Sequence, residues 1–251
     1  MMSGGGLIAR VGGKSKQKQH IFKRWLPIEN YDTYVEPFLG GGNIAMDAPV
    51  VKKMIAGDND TNLINIYKDF LSIDPDIFRN FDFTKPTKKK WLALKALKTG
   101  DPIKRLYASL YVLGRSYVQK GQSYSNARPN EYVNLKKNIE KYQEILGNYT
   151  ILHEDYKKLI NKYDSPTTFF YLDPPYYNVY SGVYESGEIK HEELFKLLDN
   201  IKGYFLLSYN DAPYIRKLYK DYHITKFISQ QTDIVSGGAR LVSELLISNY
   251  N

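Results

Sequence analysis

The chain has no cysteine. Disulfides, thiolate metal sites and cysteine nucleophiles are therefore excluded. Histidine is nearly as scarce. His20, His153, His191 and His223 are scattered without ligand spacing, so no metal site is expected. No apolar run approaches the roughly 18 residues that span a bilayer, so no membrane partner is expected either. Met1–Gly6 is a glycine-rich tail without the apolar core of a signal peptide. The expected location is intracellular, in a bacterial or virus-infected cytoplasm. Acid is in deficit: 35 Lys and Arg against 27 Asp and Glu leave a formal charge of +8, which favours a polyanionic partner such as nucleic acid. What the chain has in excess is tyrosine, at 23 residues. With abundant Lys and Asn this points to an AT-rich source genome of viral or phage type. At 251 residues and 43% hydrophobic, it can build one large domain, or one domain with an insertion.

The stretch Thr168–Asn178, TFFYLDPPYYN, organises the rest. Its apolar aromatic run reads as a buried strand. Pro174 and Pro175 stop that strand and stiffen the turn beyond it, because each fixes its own φ and lacks an N–H. Asp173 and Tyr176 then stand at the carboxyl end of a strand, where ligands bind in open α/β sheets. An ionised Asp173 offers only acceptors. Pro174 adds a carbonyl and Tyr176 a flat face. Two acceptors beside a stacking platform suit an exocyclic amino group on a planar base; a plain strand and tight turn is the competing reading.

Upstream, Val11-Gly12-Gly13-Lys14 suits a turn whose backbone and ammonium approach a polar ligand, or a basic arm opening a helix over about 16–25 that Ser15 caps. It lacks the P-loop spacing. Thr33–Asn43 reads as a short strand entering a glycine-rich turn, with a helix after it. Glycine there admits positive φ and close approach of a ligand to the backbone. The strand Met54–Asp58 ends in an acid 18 positions after Gly40. In nucleotide-binding α/β folds an acid about 20 residues past the glycine loop accepts from ribose hydroxyls. Asp58 is assigned to this; Asp60 competes, or caps the helix containing Leu63, Ile66 and Phe70.

Asp-Pro-Pro-Tyr at 173–176 resembles the signature of S-adenosylmethionine-dependent amino-methyltransferases, of the DNA adenine-N6 (Dam) type. Glu36-Pro37-Phe38-Leu39-Gly40-Gly41-Gly42 resembles that family's cofactor loop, and the run from Asp58 its second motif. Gly13-Lys14 is similar to its amino-terminal motif, and the end from Val235 to its closing hairpin. The resemblance covers almost the whole chain. It implies an α/β fold: a mostly parallel, Rossmann-like methyltransferase sheet with a terminal antiparallel strand, plus a helical insertion. The expected division is 1–71 with 149–251 as the catalytic domain and 72–148 as the DNA target-recognition insertion.

The resemblance implies that Arg10, Gly13 and Lys14 lie near the methionine end of S-adenosyl-L-methionine. Glu36, Pro37, Phe38, Gly40, Gly41, Gly42 and Asn43 form its loop. Asp58 and Asn59 belong to its ribose, Asp155 and Tyr156 to its adenine, with a helix N-cap as the competing role for Asp155. Asp173, Pro174, Pro175 and Tyr176 are the implied catalytic set. The implied reaction is methylation of N6 on an adenine flipped out of double-stranded DNA, by a monomer or weak dimer.

From 72 to 148 apolar positions recur at helical spacing amid many Lys and Arg. Lys88-Lys89-Lys90 reads most simply as a solvated face. Arg115, Tyr117, Lys120, Gln122, Tyr124, Asn126 and Arg128 interleave base-reading and stacking side chains on an expected loop. They are the candidate DNA contacts, with Lys14, Tyr177 and Arg240. Ser125-Asn126-Ala127-Arg128-Pro129 departs from the Asn-rich loop of the GATC-modifying branch, so that recognition sequence is not carried over. The loop 179–187 is expected to close over a flipped nucleotide. Cytosine-N4, RNA or protein-glutamine methylation shares the same catalytic half. A non-catalytic nucleic-acid binder on a decayed fold is the alternative from another class. Restriction protection, replication marking and viral genome modification look alike at this level.

Overall fold

The computed structural model describes residues 5–8, 13–84, 86–116, 121–125, 132–178, 189–232 and 239–251. Arg10, Tyr117, Lys120, Asn126, Arg128 and the expected lid loop lie outside the described residues, as does the side chain of Arg240.

Seven strands form one sheet: β1 (Thr33–Glu36), β2 (Lys53–Asp58), β3 (Tyr149–His153), β4 (Thr168–Leu172), β5 (Tyr204–Asn210), β6 (His223–Thr232) and β7 (Ala239–Ser248). Their order is β3-β2-β1-β4-β5-β7-β6. The first five pair in parallel, and β7 runs antiparallel to both of its neighbours. This is the expected mostly parallel sheet with an antiparallel terminal strand. β4 is buried at every position, as a central parallel strand covered on both faces must be. Alternation along the strands divides the core. Tyr34, Phe169, Tyr171 and Leu206 face one side, and Val35, Phe170, Leu172 and Leu207 face the other.

Helices cover both faces: α1 (Lys18–Lys23), α2 (Thr61–Ser72), α3 (Pro75–Arg79), α4 (Lys88–Lys95), α5 (Pro102–Gly114), α6 (Val133–Lys137), α7 (Ile139–Gly147), α8 (Tyr156–Tyr163), α9 (His191–Asp199) and α10 (Pro213–Leu218). Asp60 caps α2 by accepting from the Leu63 N–H at 3.1 Å, which realises its capping role. Between α2 and β3 the described residues contain five helices and a single isolated bridge, Ser116 with Tyr124. These helices share a contiguous apolar core with the sheet, through Trp91, Leu106, Tyr111 and Ile139. Arg105 fastens α5 to α2 with two hydrogen bonds to Asp69, at 2.8 and 2.6 Å.

Two local expectations differ from the structure. The helix expected from 16 starts as a 3-10 turn over Lys14–Lys16, and Ser15 lies inside that turn instead of capping it. No α-helix follows the glycine loop. The chain makes one helical turn, in which Ala48 N–H reaches the Ile44 carbonyl at 3.0 Å. Pro49 then ends it, because a proline disfavours the α conformation in the residue before it.

Candidate active site

Beyond β1 the chain moves outward through β2 and β3; beyond β4 it moves the other way through β5. The gap between the carboxyl ends of β1 and β4 is thus the topological switch point, where this class of sheet opens a crevice. Glu36 is the last residue of β1 and Asp173 the first beyond β4, and Pro37 and Pro174 follow them.

Asp173 keeps 19% of its side-chain surface exposed, and its Oδ1 lies 2.8 Å from the Lys14 ammonium, itself 4% exposed. Burial pushes the Asp173 carboxyl up to about 6; the charge and hydrogen bond of Lys14 pull it back part of the way, and the charge of Glu244 adds to the rise. Lys14 also lies 4.6 Å from the ring centroid of Tyr176, within cation–π range. The Tyr176 hydroxyl donates to Glu244 Oε2 at 2.7 Å. Glu36 is buried and accepts from the Tyr34 hydroxyl at 2.9 Å. Burial drives its carboxyl well above the usual range. Tyr34 opposes that rise, while the charges of Asp173 and Asp58 reinforce it.

At the switch point and along the carboxyl ends of β2 and β3 lies a crevice of about 170 Å³ lined by Pro37, Phe38, Asp58, Asn59, Asp155, Tyr156 and Pro175. All seven were expected in the site. Phe38 and Tyr156 stack at 5.1 Å and 29° and make an aromatic wall. Asp58 accepts from Gly40 N–H at 2.9 Å and Asp60 N–H at 3.0 Å. It therefore braces the glycine loop from a position on the crevice wall. Asp155 caps α8 through the Lys157 N–H at 2.8 Å. A flat aromatic wall, a carboxylate and a capped helix terminus fit the ring and ribose of an adenosine.

The glycine loop serves the chain itself as well as a ligand. Gly42 has φ +73, and a Cβ there would lie 2.6 Å from the Tyr67 hydroxyl. A Cβ on Gly41 would lie 2.1 Å from the Ile8 carbonyl oxygen. Gly6 N–H donates to the Asn43 side chain at 2.9 Å. Residues 5–8 thus pack directly on the loop, and Gly41 is needed for that approach.

Two of the expected DNA-contacting side chains are placed otherwise. Arg115 is 8% exposed and donates to the Phe83 carbonyl at 3.1 Å. It ties the end of α5 to the segment after α3 and is not displayed on a reading loop. Tyr177 stacks on Tyr214 at 4.6 Å, and its backbone exchanges two 3.0 Å hydrogen bonds with Asn210. Its ring is half-buried in that stack. Tyr124 packs edge-on near Trp91, and Gln122 offers its carbonyl to Lys95 at 3.2 Å.

Sequence reasoning missed Glu244, Gln17 and Ser229. Glu244 is fully buried on β7. Burial pushes its carboxyl up, but the charge of Lys14 and hydrogen bonds from Ser229, Tyr176 and Gln17 outweigh that and hold it below the usual range. The available signal was an acid inside the apolar run LVSELLIS, since a charged residue at a core-facing strand position is rarely buried without partners. Also missed were Lys157, Ile189, Lys190 and Glu193, which rim the crevice. Glu193 pairs with both Lys157 and Lys190.

Among the described residues no cluster of three or more His, Cys, Asp and Glu could hold a metal, and no helix is long and apolar enough to cross a membrane.

The sheet order and the Asp-Pro-Pro-Tyr corner at its switch point agree with the amino-methyltransferase class that the sequence resembles. The family model of the D12 class N6 adenine-specific DNA methyltransferases matches residues 11–232. The chain belongs to that family, whose reaction is methylation of adenine in DNA. It is similar to the Type II methyltransferase M1.LlaDCHI of Lactococcus lactis subsp. cremoris, 26% identical and covering 96% of this chain and 93% of the relative. M.MjaIII of Methanocaldococcus jannaschii is also 26% identical, over 96% and 97% of the two chains. M.CviBI of Paramecium bursaria Chlorella virus NC1A is 23% identical over 88% of each.

One titration checks the electrostatics of the site. Replacing Lys14 with Met removes the cation that offsets the burial of Asp173, so the Asp173 pKa should rise above 6. Carboxyl carbon NMR across a pH series reads it; an unchanged pKa would mean that the pair does not persist in solution.

Proposed function

We propose that the chain is a Type II, site-specific methyltransferase that moves the methyl of S-adenosyl-L-methionine to N6 of an adenine flipped out of double-stranded DNA. The observation that carries this reading is the juxtaposition of Asp173, Pro174 and Tyr176 with the crevice between β1 and β4. Phe38, Tyr156, Asp58, Asn59 and Asp155 would hold the adenosine of the cofactor, and Glu36, Gly40 and Lys14 would hold its methionine end. When bound, the cofactor supplies an electrophilic methyl on a sulfonium.

The residues of the chain account for the rest. Adenine N6 is a poor nucleophile because its lone pair is delocalised into the ring. Asp173 and the Pro174 carbonyl accept its two N–H bonds, favour a pyramidal nitrogen and stabilise the positive charge that grows there. Asp173 acts in a nearly dry cleft, where such an interaction is stronger than in water. N6 must also shed a proton, and a carboxyl pushed up to about 6 is a ready acceptor. Pro175 and Pro37 stiffen the two strand ends, so the groups that would orient N6 toward the methyl lose little freedom at the moment of reaction. A base inside a duplex cannot reach this corner, so it must swing out and stack on Tyr176.

Residues 72–148 are the proposed target-recognition insertion. Many of its cations are structural. Lys90 lies over Tyr107 and Tyr111, Lys95 bonds the Gln122 carbonyl, and Lys136 bonds the Arg79 carbonyl. Lys88 and Lys89 are exposed, and with Lys120 and Arg128 they are the candidates for phosphate contacts.

Incubation with labelled S-adenosylmethionine and unmethylated duplex DNA, followed by nucleoside analysis, should place the label in N6-methyladenine. Asp173→Ala should reduce it at least about 100-fold while the protein stays folded. Label in N4-methylcytosine would change the base and keep the mechanism; label in folded Asp173→Ala at the wild-type rate would refute the mechanism.

The insertion gives a paired prediction. Lys120→Ala with Arg128→Ala should weaken duplex binding and reduce the slope of log K against log salt by roughly 2. Arg115→Ala should instead cost about 2 kcal/mol of stability and leave that slope unchanged. Fluorescence anisotropy over a salt series, with urea unfolding, separates the two.

A further inference from the structure

Glu244 is a buried acid that the methyl-transfer reading does not use. It sits on β7, opposite Asn210 of β5 and Phe227 of β6, level with the end of β5 on the side where the crevice opens. It has no exposed surface. Its two oxygens have separate partners. Oε1 accepts from the Gln17 amide at 3.1 Å and from the Ser229 hydroxyl. Oε2 accepts from the Tyr176 hydroxyl at 2.7 Å. The donors on Oε1 come from just before α1 and from β6. They fix the carboxylate in one orientation, so Oε2 becomes a fixed point for Tyr176, 68 residues away in sequence.

A carboxylate in this place is hard to explain by stability alone. Buried polar clusters are often matched or bettered by apolar residues of similar volume. The neighbours of Glu244 on β7, Leu245 and Leu246, show that the strand accepts such residues. The fixed hydroxyl has a direct geometric consequence. A tyrosine ring pinned at both its Cβ and its hydroxyl cannot swing, and here one ring face carries the Lys14 ammonium at 4.6 Å. That same ammonium pairs with Asp173 at 2.8 Å. Glu244, Tyr176, Lys14 and Asp173 therefore form one continuous chain of contacts from β7 to the reacting corner.

We propose that Glu244 is a positioning residue of the methyl-transfer site, which holds the Tyr176 ring in the plane on which the target base stacks by anchoring its hydroxyl. The proposal rests on the reading of Tyr176 as the base platform. It predicts that Glu244 acts through that hydroxyl, so removing either end of the bond has the same result.

The test is a double-mutant cycle in single-turnover methylation of long unmethylated duplex DNA, with enzyme in excess over sites. Glu244→Leu, which removes the acceptor, and Tyr176→Phe, which removes the donor, should each slow methyl transfer by about tenfold or more. The dissociation constant for S-adenosylmethionine should stay within about twofold of wild type, because neither Glu244 nor Tyr176 lines the cofactor crevice. The double variant should be no slower than the slower single one. Multiplying effects, or a wild-type rate in Glu244→Leu, would overturn the proposal. If Glu244→Leu does not fold, Tyr176→Phe leaves β7 intact and decides alone: slowed transfer supports the anchor and a wild-type rate refutes it. Tyr176→Ala separates the two levels. A near-wild-type rate there removes the platform reading and the anchor together; a large loss there, with Tyr176→Phe and Glu244→Leu both normal, removes only the anchor.

Discussion

The ion pair between Lys14 and Asp173 is the interaction around which the site is arranged. A carboxylate at the bottom of a cleft between two central strands is poorly solvated, and burial pushes its pKa up to about 6. Without a cation beside it, its pKa would rise further and favour the neutral form, which is no longer a pure acceptor. Lys14 supplies that cation at 2.8 Å. The price is a second buried charge, whose burden Tyr176 and Glu244 share through a ring face and a nearby negative charge. The site thus holds its carboxylate ionised with little exposure to water.

The fold places these groups through its topology. β1 and β4 are neighbours in the sheet, although Thr33 and its parallel partner Thr168 lie more than half the chain apart. Everything between them, including the helices α3 to α7, is an excursion that returns the chain to the switch point. The excursion is not independent of the catalytic part, because Trp91, Tyr111 and Ile139 pack into the same core as Tyr34 and Phe169. The DNA contacts proposed for the insertion would therefore rest on a core continuous with the sheet that carries Asp173.

Much of this was legible in the sequence, for specific reasons. A continuous apolar run ending in Asp-Pro-Pro can hardly be other than a buried strand with an acid at its mouth, and β4 is that strand. Spacing from the glycine loop picked out Asp58, which the structure places on the Gly40 N–H and in the crevice. The acids that also cap helices, Asp60 and Asp155, were ambiguous because capping and ligand binding draw on the same chemistry at the same end of a helix. Arg115 and Tyr177 could not be judged from their type. An arginine beside glutamine and tyrosine looks like a base reader until its guanidinium is seen on the Phe83 carbonyl. Glu244 escaped because its partners, Gln17, Ser229 and Tyr176, are dispersed along the chain, and only the folded sheet brings them together.

The most direct test of the central claim is the pH dependence of kcat/KM for methyl transfer, which reports the ionisation of the free enzyme. If an ionised Asp173 is required, a carboxyl raised to about 6 is charged above that pH and neutral below it. The rate should therefore be level near about pH 8, half-maximal near about pH 6, and fall about tenfold per unit below that. A profile flat down to about pH 5, in protein that remains folded, would contradict the account, because the buried carboxylate would then not be the acceptor on which transfer depends.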